Sequence, residues 1–255
     1  MIPLLILAAA VAATPAAADP AARFKACASL VDTAPDKALA EARAWASGGG
    51  GIPAGQCLGL AQSALGDWRG AADSFAATAD LAERLEDGRA VPLWTSAGNA
   101  ALAAGDAARA KTLLTRALAA KALVGPMRGE AYLDRARAQV ALGALPEART
   151  DMDQALGLVP GDPMAWLLSA ALARRMNALE RARHDIGEAA GRAPDEPAIL
   201  LESGEIAAAA GDMSRARAEW ARVRALDPGG EAARTATRQL SASGGVPAEA
   251  PRPGR

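Results

Sequence analysis

Along residues 163–176 the apolar positions Trp166, Leu167, Ala170 and Ala173 recur at helical spacing, and Asn177 then interrupts the run. A second amphipathic run over residues 179–190 places Ala182, Ile186 and Ala189 on one face. It stops before Pro194, which favours extended geometry at Ala193. This stretch predicts a helix, a turn and a second helix. The same residue types return at a fixed step of 34: Pro160, Pro194 and Pro228; Ala148, Ala182 and Ala216; Ala136, Ala170 and Gly204; Gly143, Asn177 and Gly211. A step of this size means stacked units, each too small to bury its own apolar face. The small residues have a packing reason: Ala or Gly where two helices cross lets their backbones approach, and a large residue such as Trp166 fills the adjoining hole.

Looser copies flank this core. Gly59, Gly66 and Ala71 correspond to Gly98, Gly105 and Ala110 with a step of 39, and these map to Ala136, Gly143 and Ala148 with a step of 38. The first excess predicts a longer helix through residues 81–86 with an exit at Gly88; the second is expected around residues 121–127, with Gly125 and Pro126 marking a turn. Nearer the start, residues 24–31 read as a helix, Pro35 opens another, and Ala38, Ala42 and Trp45 form its apolar face. The glycines at 48–51 lack the Gly-Lys-Ser or Gly-Lys-Thr of a phosphate loop, so they read as a turn. After Pro228, Ala232, Ala236 and Leu240 lie along one stripe of a capping helix. No strand-type alternation is present, and the expected fold is all-α.

Over residues 129–228 this combination resembles the tetratricopeptide repeat: a bulky residue, Ala or Gly four positions on, Gly or Asn at the turn, Ala in the second helix and Pro at its end. Leu200 stands where the preceding unit has Trp166, and Met152 and Trp220 stand where the family often has Phe. The resemblance implies a right-handed α-solenoid of antiparallel helix pairs, about five to six units. The expected division is a signal peptide at 1–18, a degenerate first pair at 19–51, two expanded units at 52–128, three regular units at 129–228, a capping helix at 229–241 and a disordered tail at 242–255. The resemblance also implies a concave groove formed by the first helices, where such proteins usually bind an extended or helical partner segment. Projected onto this chain, its lining is Gln56, Leu60, Asn99, Leu133, Arg137, Met164, Leu167, Leu201 and Glu205; the alternative is that the leucines pack between helices. A clamp for a chain-terminal carboxylate would need more Lys, Arg and Asn than Asn99 and Arg137 supply.

Residues 1–18 carry no charge, and their apolar stretch ends in Ala16, Ala17 and Ala18, which predicts a secretory signal peptide leaving Asp19 at the mature start. A retained membrane anchor is the rival reading, and only then is a membrane contact expected. Export places the chain in the periplasm or outside the cell, where Cys27 and Cys57, the only cysteines, are expected to be bridged between neighbouring first helices. Two buried free thiols are the alternative. With 28 basic and 29 acidic residues the charge is balanced, leaving no footprint for nucleic acid.

Candidate chemistry is sparse. His184 is the lone histidine and lacks the further ligands a metal site needs. Asp151 and Asp153 sit in a helical run without the glycine and closing glutamate of a calcium loop. Arg174, Arg175, Arg181 and Arg183 read as a solvated helix face with paired carboxylates. No nucleophile motif, cofactor motif or catalytic residue is expected. The functional expectation is an exported scaffold that binds a protein or peptide segment in the groove, with an accessory or assembly subunit of an envelope enzyme or complex as the alternative.

Overall fold

The computed structural model describes residues 19–244. The expected signal segment at 1–18 lies outside the described residues, as does the expected tail beyond Gly244. Among the described residues there are thirteen α-helices and no strand. They are α1 (Pro20–Thr33), α2 (Pro35–Ser47), α3 (Gly51–Ala64), α4 (Trp68–Arg84), α5 (Ala90–Ala103), α6 (Ala107–Ala119) and α7 (Gly125–Ala141). The series continues with α8 (Leu145–Leu158), α9 (Pro163–Arg175), α10 (Leu179–Arg192), α11 (Pro197–Ala209), α12 (Met213–Leu226) and α13 (Glu231–Ser243). Consecutive helices pack in antiparallel pairs, so six pairs stand in single file and α13 closes the end. No helix of the described residues is long and apolar enough to cross a membrane.

Local chemistry sets the boundaries. Pro20, Pro35, Pro163 and Pro197 each open a helix, where a missing N–H has no intrahelical acceptor to lose. Asp67, Asp106 and Asp212 cap α4, α6 and α12, accepting from the backbone N–H of Gly70, Arg109 and Arg215. The turns inside the units need a left-handed residue: Gly143 sits at φ 76° and Asn177, the most tolerant non-glycine, at φ 58°. The 39-residue step is absorbed by lengthening α4. The 38-residue step is absorbed differently from expectation: Gly125 and Pro126 open α7, which gains a turn at its N-terminal end. Likewise residues 242 and 243, assigned above to the tail, belong to α13.

Inside each unit from α3 to α12 one contact repeats at an offset of 16. Gly59 faces Phe75, Gly98 faces Leu114 and Gly204 faces Trp220, each so closely that a Cβ on the glycine would overlap the side chain. The same offset joins Ala136 to Met152 and Ala170 to Ile186 within single apolar clusters. Small first-helix positions therefore receive large second-helix side chains, and their size varies from unit to unit in compensation. The first pair shares a separate small cluster with α3, made of Cys27, Ala42, Trp45, Ala54 and Cys57. There a disulfide joins Cys27 of α1 to Cys57 of α3, with Cα atoms 6.2 Å apart.

Charged groups lace neighbouring second helices together. Arg109 of α6 reaches Asp73 of α4 at 2.6 Å, and Arg181 of α10 reaches Asp153 of α8 at 2.8 Å. The α4–α5 link is held by Asp87, whose carboxylate accepts from the Arg89 backbone N–H and from its guanidinium at 2.6 to 2.9 Å. Those bonds favour the ionised form and hold Asp87 at a pKa of about 2, below the ordinary 3.8. This contribution to stability is therefore present above the unfolded-chain value and is lost as pH falls through about 2. A carboxyl-carbon NMR titration is expected to place the Asp87 midpoint near 2, and Arg89→Ala is expected to raise it only part of the way, since alanine keeps the backbone N–H bond.

Candidate functional site

The repeat step dictates which side chains share a line on the first helices. Gln56, Thr95, Leu133, Leu167, Leu201 and Thr235 occupy one register position. Leu60, Asn99, Arg137, Ala171, Glu205 and Gln239 occupy the next, one helical turn further on. Because α5 touches α7, α9 touches α11 and α11 touches α13, these positions line up in two stripes over α5 and α7 and over α9, α11 and α13, with one cavity lined by both α7 and α9 between them. Where the stripes leave space, the surface opens into cavities. The largest of three along these stripes, about 570 Å³, spans α9, α11 and α13. A second of about 400 Å³ lies between α5 and the start of α7, lined by Val91, Thr95, Leu123, Met127 and others. A smaller one of about 170 Å³ joins α7 to α9 through Arg137, Val140, Leu168 and Arg175.

The structure brings three of the expected lining residues, Leu167, Leu201 and Glu205, to the largest cavity. Asn99 and Arg137 meet elsewhere, beside the Asp134 carboxylate, with Arg137 at 3.1 Å. Burial pushes the Asp134 carboxyl above its ordinary value, while the Arg137 guanidinium pulls it back part of the way. Met164 is exposed on the first turn of α9 but outside the cavity. Gln56 and Leu60 are half-buried on α3, and Leu60 packs on the core.

The expectation that Leu133 and Leu167 are open apolar anchors needs correction. They are only 7% and 8% exposed, Leu133 in a cluster with Ala136 and Met152, Leu167 in one with Ala170 and Ile186. A first helix meets its own partner and also the next unit, so only a narrow strip of it stays open. That strip passes through Leu168 and Ala171, beside the predicted positions. Ala171 and Thr235 were recoverable from sequence, because they continue the two stripes at the step of 34. Ala198, Ala232 and Glu231 also line the cavity, and they follow from the step counted from Met164 and Pro163.

The cavity has an apolar floor and a charged rim. Leu167, Leu168, Ala171, Ala198, Leu201 and Ala232 supply the floor. At the rim the Arg174 guanidinium grips Glu202 through Nε at 2.6 Å and Nη2 at 3.0 Å, and that pairing raises the Arg174 pKa. Glu205 accepts a hydrogen bond from the Gln239 amide at 2.8 Å, which ties α11 to α13.

The other polar cluster is closed. Asp185 and Asp151, 34 residues apart, are both buried on second helices, against the solvated face expected for their neighbourhood. Asp151 takes two bonds of 2.7 Å from Arg135; Asp185 accepts from Ser169 Oγ at 2.5 Å and Arg181 Nε at 2.8 Å, and contacts His184 Nδ1 at 2.9 Å. Ser169 and His184 both approach the carboxylate, not each other, and Ser169 has no exposure, so the imidazole is not placed to take the hydroxyl proton. Among the described residues no group of His, Cys, Asp and Glu is arranged to hold a metal ion.

Stacked helix pairs, a left-handed turn residue in each regular unit and a groove on the first helices define the class of α-solenoid repeat proteins. The tetratricopeptide repeat profile matches residues 95–163 and 167–231, more than half of the chain, and the chain belongs to that family. A comparison with curated proteins finds no match. Among solved structures the chain is similar to PilW, a widely conserved type IV pilus biogenesis factor, with a TM-score of 0.73 and 18% identity over 87% of this chain and 100% of that one. It is similar to PilF of Pseudomonas aeruginosa, with a TM-score of 0.69 and 15% identity over 88% and 97% of the two chains. It is also similar to YrrB, a tetratricopeptide repeat protein with an unusual peptide-binding site, with a TM-score of 0.56 and 16% identity over 77% and 96%. At these identities the likeness is one of fold.

Proposed function

We propose that the protein is an exported scaffold that binds a segment of a partner protein in the groove of its first helices and has no catalysis of its own. The observation that carries this reading is the cavity of about 570 Å³ across α9, α11 and α13, with an apolar floor and a polar rim. Its size suits a few partner side chains rather than a whole domain surface. The uncharged segment at residues 1–18 and the Cys27–Cys57 bridge support export to an oxidising compartment.

Crosslinking from defined positions tests the groove. A photoreactive residue at Ala171, on the cavity, is expected to crosslink a partner in an envelope extract, whereas the same residue at the exposed Ala221 of α12 is not. Equal crosslinking from both positions would remove the groove from the proposal. Leu133→Glu and Leu167→Glu are unsuited to this purpose, since a charge at either site enters the core and reports on folding.

A second reading is an accessory or assembly subunit of an envelope complex. The whole-length likeness to a pilus biogenesis factor favours it only at the level of fold. Stable co-purification with such a complex, together with a change in its activity or assembly on deletion of this chain, is the result that reading requires.

A further inference from the structure

The groove reading leaves open which kind of segment it takes, and the charges at its C-terminal end narrow the answer. Three carboxylates line the largest cavity, Glu202, Glu205 and Glu231, against one cation, Arg174. Arg174 is already committed: both its bonds go to Glu202, and with only 29% of its side chain exposed it is held in place. Glu205 and Glu231 are in no ion pair among the described residues, and Glu205 has a neutral amide as its neighbour. An anionic segment entering here would meet two carboxylates that no ion pair neutralises, with only the nearby Arg174 charge to offset Glu205, over an apolar floor. A cationic one would find two acceptors, each with lone pairs to spare.

Resting on the groove reading above, we infer that this cavity takes a cationic amphipathic segment. One or two aliphatic side chains sit on Leu201, Leu168 and Ala198, and a neighbouring Lys or Arg reaches Glu205 and Glu231. The next cavity along the stripe sets direction. Its charged lining is Arg137, which is paired with Asp134, and Arg175, which is in no ion pair among the described residues and repels the same cation, so the basic residues of the segment lie at the α11–α13 end and not at the α7–α9 end. The capping helix α13 is then part of the site, because it supplies Glu231, Ala232 and Thr235.

The test is selection from a display library of random short peptides on the full chain, followed by fluorescence anisotropy with the recovered peptides. Clones that lose binding to Leu201→Asp are expected to combine Lys or Arg with aliphatic residues. Their affinity should fall about tenfold or more in the Glu205→Lys, Glu231→Lys double variant and weaken with added salt. Circular dichroism and thermal unfolding check that Leu201→Asp is folded. Ala171→Gln, at a more open position of the same cavity, provides the same readout where it is not. Leu201-dependent or Ala171-dependent clones that are neutral or acidic would overturn the charge assignment and leave the groove standing. If no clone depends on either residue, the groove reading itself fails and this inference fails with it.

Discussion

Replacing Cys27 and Cys57 together by serine is expected to lower the stability of the first helix pair by about 3 to 4 kcal/mol, the chain-entropy value for closing a loop of this size. The bridge spans a sequence separation of 30 and joins α1 to α3 across the intervening α2. What remains without it is a cluster of five buried residues, two of them the cysteines themselves. In a linear array each unit is supported only by its neighbours, and among the described residues α1 packs on α2 and α3 alone. The loss should therefore be local. Hydrogen exchange is expected to accelerate over α1 and α2, while α9 to α12 keep their protection. Uniform protection across all helices in the double variant would show that the apolar contacts of the first pair suffice without the covalent link.

The second large effect is expected at Gly204. A side chain there points straight into the Trp220 indole, which is buried at 2% exposure and flat, so it has little room to turn aside. Gly204→Leu is expected to destabilise the last unit by an amount at the upper end of the roughly 1 to 3 kcal/mol usual for overpacking. Adding Trp220→Ala should recover much of the loss, although Trp220→Ala alone costs about 3 to 5 kcal/mol by opening a void. The measurement is a double-mutant cycle from urea denaturation followed by circular dichroism. Additive losses would mean that the two side chains do not share the space assigned to them.

The pairing behind this second prediction was half legible in the chain. Gly204 falls in line with Ala136 and Ala170 at the repeat step, so a close crossing at that position follows from period alone. That its occupant is Trp220, as Phe75 is for Gly59 and Leu114 for Gly98, needed the second helix docked against the first. The groove divides in the same manner. The positions of Leu201 and Glu205 on it were legible because helical phase and the repeat step both point there. Leu133 follows the other alternative and packs between helices, and Leu167 reaches the cavity with little of its surface, because phase has an error of a fraction of a turn and the open strip on each first helix is narrower than that error. Asp185 and Ser169 gave no sign of being buried together. Their contact crosses from α9 to α10, and flanking Arg181, Arg183 and His184 make the local sequence look solvated.

Sequence alone determined the helix pairs, their turns and their stacking, since each is a short-range property: a period of apolar positions, a residue that tolerates positive φ, a proline that ends a helix. Only the tertiary structure decided which leucines close inward, which carboxylates lose solvent, and that α13 completes an acidic cavity instead of merely capping the end. Exposure is a property of what stands opposite a residue, and in a stacked array what stands opposite is another unit.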